Sequence, residues 1–267
     1  MSRSNPTDQM PNPSARWFEW NGENGHVKYY DKTLAVKGKE KPGGDVTVPL
    51  PFTFLVLDEL VCVKGWHDSS QSGIVSNEVH NTKLEPLAVR AFKGGPIASG
   101  FYGDIKDKVK AAGGKFTASI YIGYKTASGL EICNLQFHGG AVGAWMEFTR
   151  ACPFNKEKKC KEYLVKAVKI GNFVVGKKGS VTFRNPVFTM IPVSDEMNVA
   201  AAKLDFELQE YLKAYLEKTR MNPALVAAAS ESAPPQYEPD PYDAQPSAPS
   251  DEEIGKLETA DADPDQF

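Results

Sequence analysis

Four short phrases set an aromatic ring beside a basic side chain: Lys28-Tyr29-Tyr30, Lys64-Gly65-Trp66, Arg90-Ala91-Phe92-Lys93 and Tyr121-Ile122-Gly123-Tyr124-Lys125. Rings stack on nucleobases for about 1–3 kcal/mol per base, while ammonium and guanidinium groups track the phosphates. That pairing is the chemistry of single-stranded nucleic-acid binding. The candidate stacking residues are Trp66, Tyr121 and Tyr124, with Phe101 and Tyr102 beside them. Trp66 stands first, at the end of a strand next to Lys64 and before a polar loop. The candidate phosphate contacts are Lys64, Arg90, Lys93, Lys125, Lys177, Lys178 and Arg184. Each ring also has a packing role open to it, because aromatics favour strands for their own sake. Trp145, inside the apolar run AVGAWMEF, reads as core. Lys156, Lys158, Lys159 and Lys161 cluster around Cys160, as a phosphate contact or a solvated hairpin tip.

Enzyme signatures are missing from the sequence. FKGGPIASG has glycines but lacks the Lys-Ser/Thr ending of a phosphate-binding loop, and no G-x-S-x-G or H-E-x-x-H occurs. His67-Asp68-Ser69-Ser70 sets triad residue types side by side. A working triad converges from separate elements, so this segment reads as a surface turn. Cys152 and Cys160, with His138 upstream, fit no standard zinc spacing. A metal-dependent nuclease built on these three is the weakest reading. No metal, cofactor or catalysis is expected.

Composition sets the frame for these residues. The chain has 267 residues, 41% hydrophobic and 24% charged, which is ordinary for a protein that builds a core and excludes collagen and coiled-coil rods. No apolar run is long enough for a membrane-spanning helix, and the N-terminus has no secretory h-region. The expected location is therefore the cytoplasm, that of the host cell if a phage encodes the chain. Four cysteines are too sparse for a disulfide scaffold. The net charge of -3 hides a split. Residues 221–267 carry eleven acids and one base, a net of -10, which leaves +7 on residues 1–220. A basic body suits a polyanionic partner.

Three zones follow from the pattern. Residues 1–15 and 221–267 are rich in proline and polar residues and are expected to be disordered. Residues 16–220 form the folded body, mostly strands. KFTASIYIGYK and LEICNLQFH flank the turn TASGL as a hairpin, and EYLVKAVKIGNF and KGSVTFRNPVFTMIPV make a second pair. Helices are expected over 103–112, 139–151 and 195–219. The last has Ser194 as its cap and Leu204, Leu208, Tyr211 and Tyr215 on one face. A helix inserted between strand groups points to a mainly β fold, an elaborated OB-like barrel with a C-terminal helix and a disordered acidic tail. A β-sandwich is the alternative.

The chain ends LETADADPDQF, alternating acids closed by an aromatic. A basic β-rich body, a Pro/Ala/Ser linker and an acidic tip ending in Phe resemble the layout of bacterial and phage single-stranded-DNA-binding proteins. The phrases VPLPFTFLVLDELVCVKGW, SGIVSNEVHNT, PLAVRAFKGG and LQFHGGAVGAWMEF resemble the single-stranded-DNA-binding proteins of crAss-like phages over roughly residues 20–220. The resemblance implies a sequence-independent coat on single-stranded DNA in replication and recombination. It implies that Asp261, Asp263, Asp265 and Phe267 recruit partner proteins. The tip departs from the bacterial pattern in its alternating acids and in Gln266. A homo-oligomer is compatible with the long helix. The rival reading is a phage structural or adaptor protein with no affinity for DNA.

Overall fold

The computed structural model describes residues 11–34 and 42–220. The expected disordered tail and the tip residues Asp261, Asp263, Asp265 and Phe267 lie outside that range. Chain order begins with β1 (Trp17–Asn21), β2 (His26–Asp31), β3 (Gly44–Val48), the long β4 (Phe52–His67), β5 (Ser72–Ser76), β6 (Leu87–Ala91) and β7 (Gly95–Gly100). Next come α1 (Tyr102–Ala111), β8 (Gly114–Thr126), β9 (Gly129–His138) and α2 (Gly140–Ala151). The small pair β10 (Phe154–Asn155) and β11 (Cys160–Lys161) precedes β12 (Ala167–Lys178), β13 (Val181–Ile191) and α3 (Asp195–Arg220). All three expected helices are present, shifted by a residue or so. Ser194 accepts from the Met197 amide at 3.3 Å, as its capping role requires. β1 was not expected. Residues 11–15, assigned to a disordered terminus by sequence, are bonded into the body. The Ala15 backbone amide donates to Ile132 O at 2.8 Å, and the Asn12 side-chain Nδ2 donates to the Tyr211 hydroxyl at 3.2 Å.

The fold is mainly β, with one large mixed sheet ordered β3-β2-β1-β9-β8-β4-β5-β6-β7. β1 runs parallel to β9, and the other pairings are antiparallel. β4 divides the sheet. Its Leu55–Gly65 stretch pairs β8 along one edge. On the other edge Phe52–Leu55 pair β12, while Lys64–His67 pair β5. The β12–β13 hairpin and the β5–β7 meander therefore leave one strand in two directions, and the register shift between Val56 and Asp58 lies in the stretch between them.

Alternation along these strands sends one face inward. Phe18, Phe52, Phe54, Ile120, Ile122, Leu135 and Phe137 pack there against Trp145 of α2. Glu59 also points in. It accepts from the Trp145 indole at 2.7 Å and from the Tyr163 hydroxyl, and burial pushes its carboxyl above the ordinary value. A second cluster packs Val63, Ile74, Leu87 and Val89 under Ile105 and Val109 of α1.

The curled sheet brings β13 to the β1–β2 turn. The Arg184 amide donates to Gly22 O at 2.7 Å, and the Trp20 indole donates to Arg184 O at 2.8 Å. No ladder joins β13 to β1 or β9 among the described residues, so the sheet does not close into a barrel there. Among those residues no helix is long and apolar enough to cross a membrane.

Gly25 makes the turn's approach to the hairpin feasible. Its φ is +71°, and a Cβ there would meet the Phe173 ring at 2.5 Å. Gly25→Ala is expected to destabilise the fold by about 1–3 kcal/mol through strain and overlap. Denaturant unfolding checks this, and an unchanged midpoint would mean that the turn does not seat on β12.

Candidate nucleic-acid interface

The outward face of the sheet divides into two halves. One is open. Trp17 and Glu19 of β1, Lys28 and Tyr30 of β2, Lys115 and Thr117 of β8, Gln136 and His138 of β9, and Lys64 and Trp66 of β4 all point there by alternation. Register then aligns them. Lys115 lies opposite Lys64, Lys64 opposite Val75, and Val75 opposite Arg90, giving one row across four strands. The next row is Trp66 opposite Gly73, with the Phe92 ring lying over Gly73, 3.3 Å from where a Cβ would stand. Phe92 carries Arg90 at 5.7 Å from its ring centre.

Four large aromatics on this half are exposed: Trp17 at 40%, Tyr30 at 59%, Trp66 at 52% and Phe92 at 61%. Burying these rings on a ligand is more favourable than leaving them in water. The Lys64 ammonium sits 4.8 Å from the Trp17 ring centre. Among the described residues, Lys64, Lys93, Lys115 and Arg90 form no ion pair, so their charge is available to an anion.

One carboxylate sits among these cations. Glu19 accepts from His138 Nε2 at 3.2 Å and faces Lys28 at 3.8 Å. The His138 hydrogen bond, with the charges of His138, Lys28 and Lys115, outweighs burial and holds the Glu19 carboxyl below its usual range. Lys28 also bonds Asp45 at 3.2 Å. The two acids partly neutralise Lys28, and the free positive charge lies toward Lys64, Lys115 and Arg90.

The other half of the same face is covered. α3 lays Leu208, Tyr211 and Leu212 over Leu60, Tyr121 and Ile132. Beneath it, buried Glu78 accepts from Ser119 Oγ at 2.5 Å and from the Tyr121 hydroxyl at 2.8 Å. The Glu78 amide donates to the Tyr215 hydroxyl at 2.8 Å. Tyr121 is fully buried, and burial with the Glu78 charge pushes its phenol well above the ordinary value. This corrects the expectation that Tyr121 stacks on bases, because neither face of its ring reaches solvent.

The remaining candidates separate by position. Tyr124 turns inward between Phe18 and Phe52, at 4.9 and 5.0 Å. Phe101 precedes α1, and Tyr102 packs on Phe116 at 5.0 Å, on the opposite face of the sheet. Lys125 is exposed at the far end of β8, and Lys177 and Lys178 are exposed at the tip of the β12–β13 hairpin. Arg184 is engaged in the hairpin's contact with the β1–β2 turn. Its guanidinium donates to Glu23 O and lies 5.5 Å from the Phe173 ring centre, so it is not a free phosphate contact. Of the sequence candidates, Lys64, Trp66, Arg90 and Lys93 come together on or beside the open face.

Trp17, Tyr30, Phe92 and Lys115 complete that face and were not among the chosen residues. Trp17 had a signal. WFEWN alternates, and with Phe18 and Trp20 inward Trp17 must point out. The nuclease residues bond elsewhere: His138 to Glu19 and Thr117, and Cys152 Sγ to Met190 Sδ at 3.7 Å. Burial raises the Cys62 thiol to about 12 and the Cys133 thiol to about 11, which leaves them inert. His67 bonds Ser70 Oγ at 2.7 Å in a surface turn.

The chain matches no family model, and no curated protein or solved structure matches it.

The four tryptophans divide evenly, with Trp17 and Trp66 exposed and Trp20 and Trp145 buried. Acrylamide is expected to quench about half of the intrinsic fluorescence readily. In a Trp17→Phe/Trp66→Phe variant the accessible component should vanish while the melting temperature holds. Persistent accessible emission would place the open face elsewhere.

Proposed function

We propose that the chain binds single-stranded DNA without sequence preference, using the open sheet face as its platform. The observation that carries this reading is the placement of Trp17, Tyr30, Trp66 and Phe92 on one face with the unpaired cations Lys64, Lys115 and Arg90. Every base offers a π-face, so a ring platform tolerates any sequence, and the cations follow the backbone. Exposed aromatic rings on one sheet face suit unstacked bases better than a duplex, whose bases are hidden.

Strand order supports the finer fold reading. β4, β8 and β9, then α2, then β12 and β13, with β4 bonded to both β8 and β12, follow the connectivity of an OB-type frame. In this frame the seam between β9 and β13 stays open and β1 lies on β9. OB-folds bind oligonucleotides on the face of their second and third strands and on two flanking loops. Here those strands are β8 and β9. The flanking segments carry Arg90, Phe92 and Lys93 on one side and Lys177 and Lys178 on the other. A role in phage replication and recombination, with the acidic tip recruiting partner proteins, extends the reading through the resemblance described above.

The test is titration of fluorescent oligo(dT) with the full chain at several salt concentrations. Affinity is expected to fall as salt rises, because bound phosphates release counterions. Lys64→Ala should flatten the log–log salt slope by about 0.7. Trp66→Ala should cost about 1–3 kcal/mol. No binding at low salt would overturn the proposal and leave a structural or adaptor role.

A further inference from the structure

A concavity opens on the face between Trp17, Lys28, Tyr30, Asp45, Lys64 and Gln136. It offers an exposed indole and phenol for stacking and the Lys64 ammonium for a phosphate, while Lys28 is held by Glu19 and Asp45 on its rim. Gln136 lines the concavity and is only 7% exposed. The direction of the Gln136 amide is fixed from behind, by a chain of hydrogen bonds that starts at a carboxylate.

Both oxygens of Glu78 accept, one from Ser119 Oγ and one from the Tyr121 hydroxyl. The Ser119 hydroxyl has a single proton, which it gives to Glu78. Its oxygen therefore accepts, and Asn134 Nδ2 donates to it at 2.9 Å. That places Asn134 Oδ1 on the other side, where it takes Gln136 Nε2 at 3.1 Å. Gln136 Oε1 is what is left. Among the described residues nothing donates to it, and Gln136 lines the concavity. Gln136 Oε1 is not among the fully buried atoms, so it opens to the concavity as a free acceptor whose direction is fixed, ready for a donor from a ligand in place of water.

We infer that this concavity is a single-base pocket in which a nucleobase stacks on Trp17 and gives one N–H of its pairing edge to Gln136 Oε1. The inference rests on the single-stranded-DNA reading and adds the rule by which one base is held. Glu78 is a positioning residue, acting on the base through Ser119, Asn134 and Gln136. Thymine and guanine have a ring N–H on that edge, and adenine and cytosine have an exocyclic amine, so all four satisfy the pocket and sequence tolerance survives. The Lys64 ammonium occupies the Trp17 ring in the free protein, and an arriving base displaces it toward the adjacent phosphate.

The experiment compares oligo(dT) with an oligonucleotide of equal length built from N3-methylthymidine, which stacks but has no N–H on its pairing edge. The full chain is used throughout, and the readout is the ratio of the two affinities. The unaltered protein is expected to bind the methylated strand about fivefold more weakly, the net worth of one hydrogen bond exchanged for water. Gln136→Ala removes the acceptor and the bulk beside it, and the ratio should fall to about one. Glu78→Gln keeps its size but supplies a donor to Ser119, which lets the chain reverse and turn Gln136 Nε2 outward; the ratio should again collapse. Equal affinities for the unaltered protein, or full discrimination retained in both variants, would overturn the pocket. If neither strand binds at all, the single-stranded-DNA reading itself has failed, which is a different result.

Discussion

β4 carries hydrogen-bond ladders on both edges, and the molecule is arranged around that constraint. Every buried amide and carbonyl of a sixteen-residue strand must find a partner. β8 supplies one edge along most of its length. The other edge is shared, β12 at the start and β5 at the end, and in the middle Val61 exchanges amide hydrogen bonds with Val79 while the Val63 amide donates to Ser76 Oγ. Glu59 fills the inner side of that middle, held by Trp145 and Tyr163, and Leu60 meets α3 on the outer side. The β5–β7 meander extends the outward face sideways from the end of β4. That extension is what lines up Trp66, Gly73 and Phe92 and continues the row from Lys115 to Arg90.

The outward face would be uniform if alternation alone governed it. Glu78 makes it two surfaces. A buried carboxylate is costly unless its lone pairs are met, and here hydroxyl groups of Ser119 and Tyr121 meet them. The same network reaches Asn12 through Tyr121 and α3 through Tyr215, so it fixes the terminus and the helix over one half of the face. Toward the open half it orients Asn134 and Gln136. One buried charge thus joins the covered half to the chemistry of the exposed half.

Much of the framework was legible in the sequence. Leu204, Leu208, Tyr211 and Tyr215 recur at helical spacing, and α3 does bury that face. TASGL marked the β8–β9 hairpin, and Trp145 in an apolar run is core. Trp66 was legible because strand position and a neighbouring lysine are local facts. Tyr121 misled for a non-local reason. Alternation gives its face correctly, but only a helix some ninety residues later covers that face. Arg184 was likewise captured by the β1–β2 turn, far away in the chain. β1 was missed because five residues beside a proline-rich segment give a short pattern. Gln136 had no local signal, since residues 78, 119 and 134 set its direction.

Hydrogen exchange of the full chain with and without oligo(dT) tests the central claim most directly. The account predicts slowed exchange in segments 17–30, 64–75, 90–93, 115–117 and 136–138, with α2 and the β10–β11 pair unchanged. Protection confined to the β10–β11 loop, or no protection at saturating DNA, would contradict it.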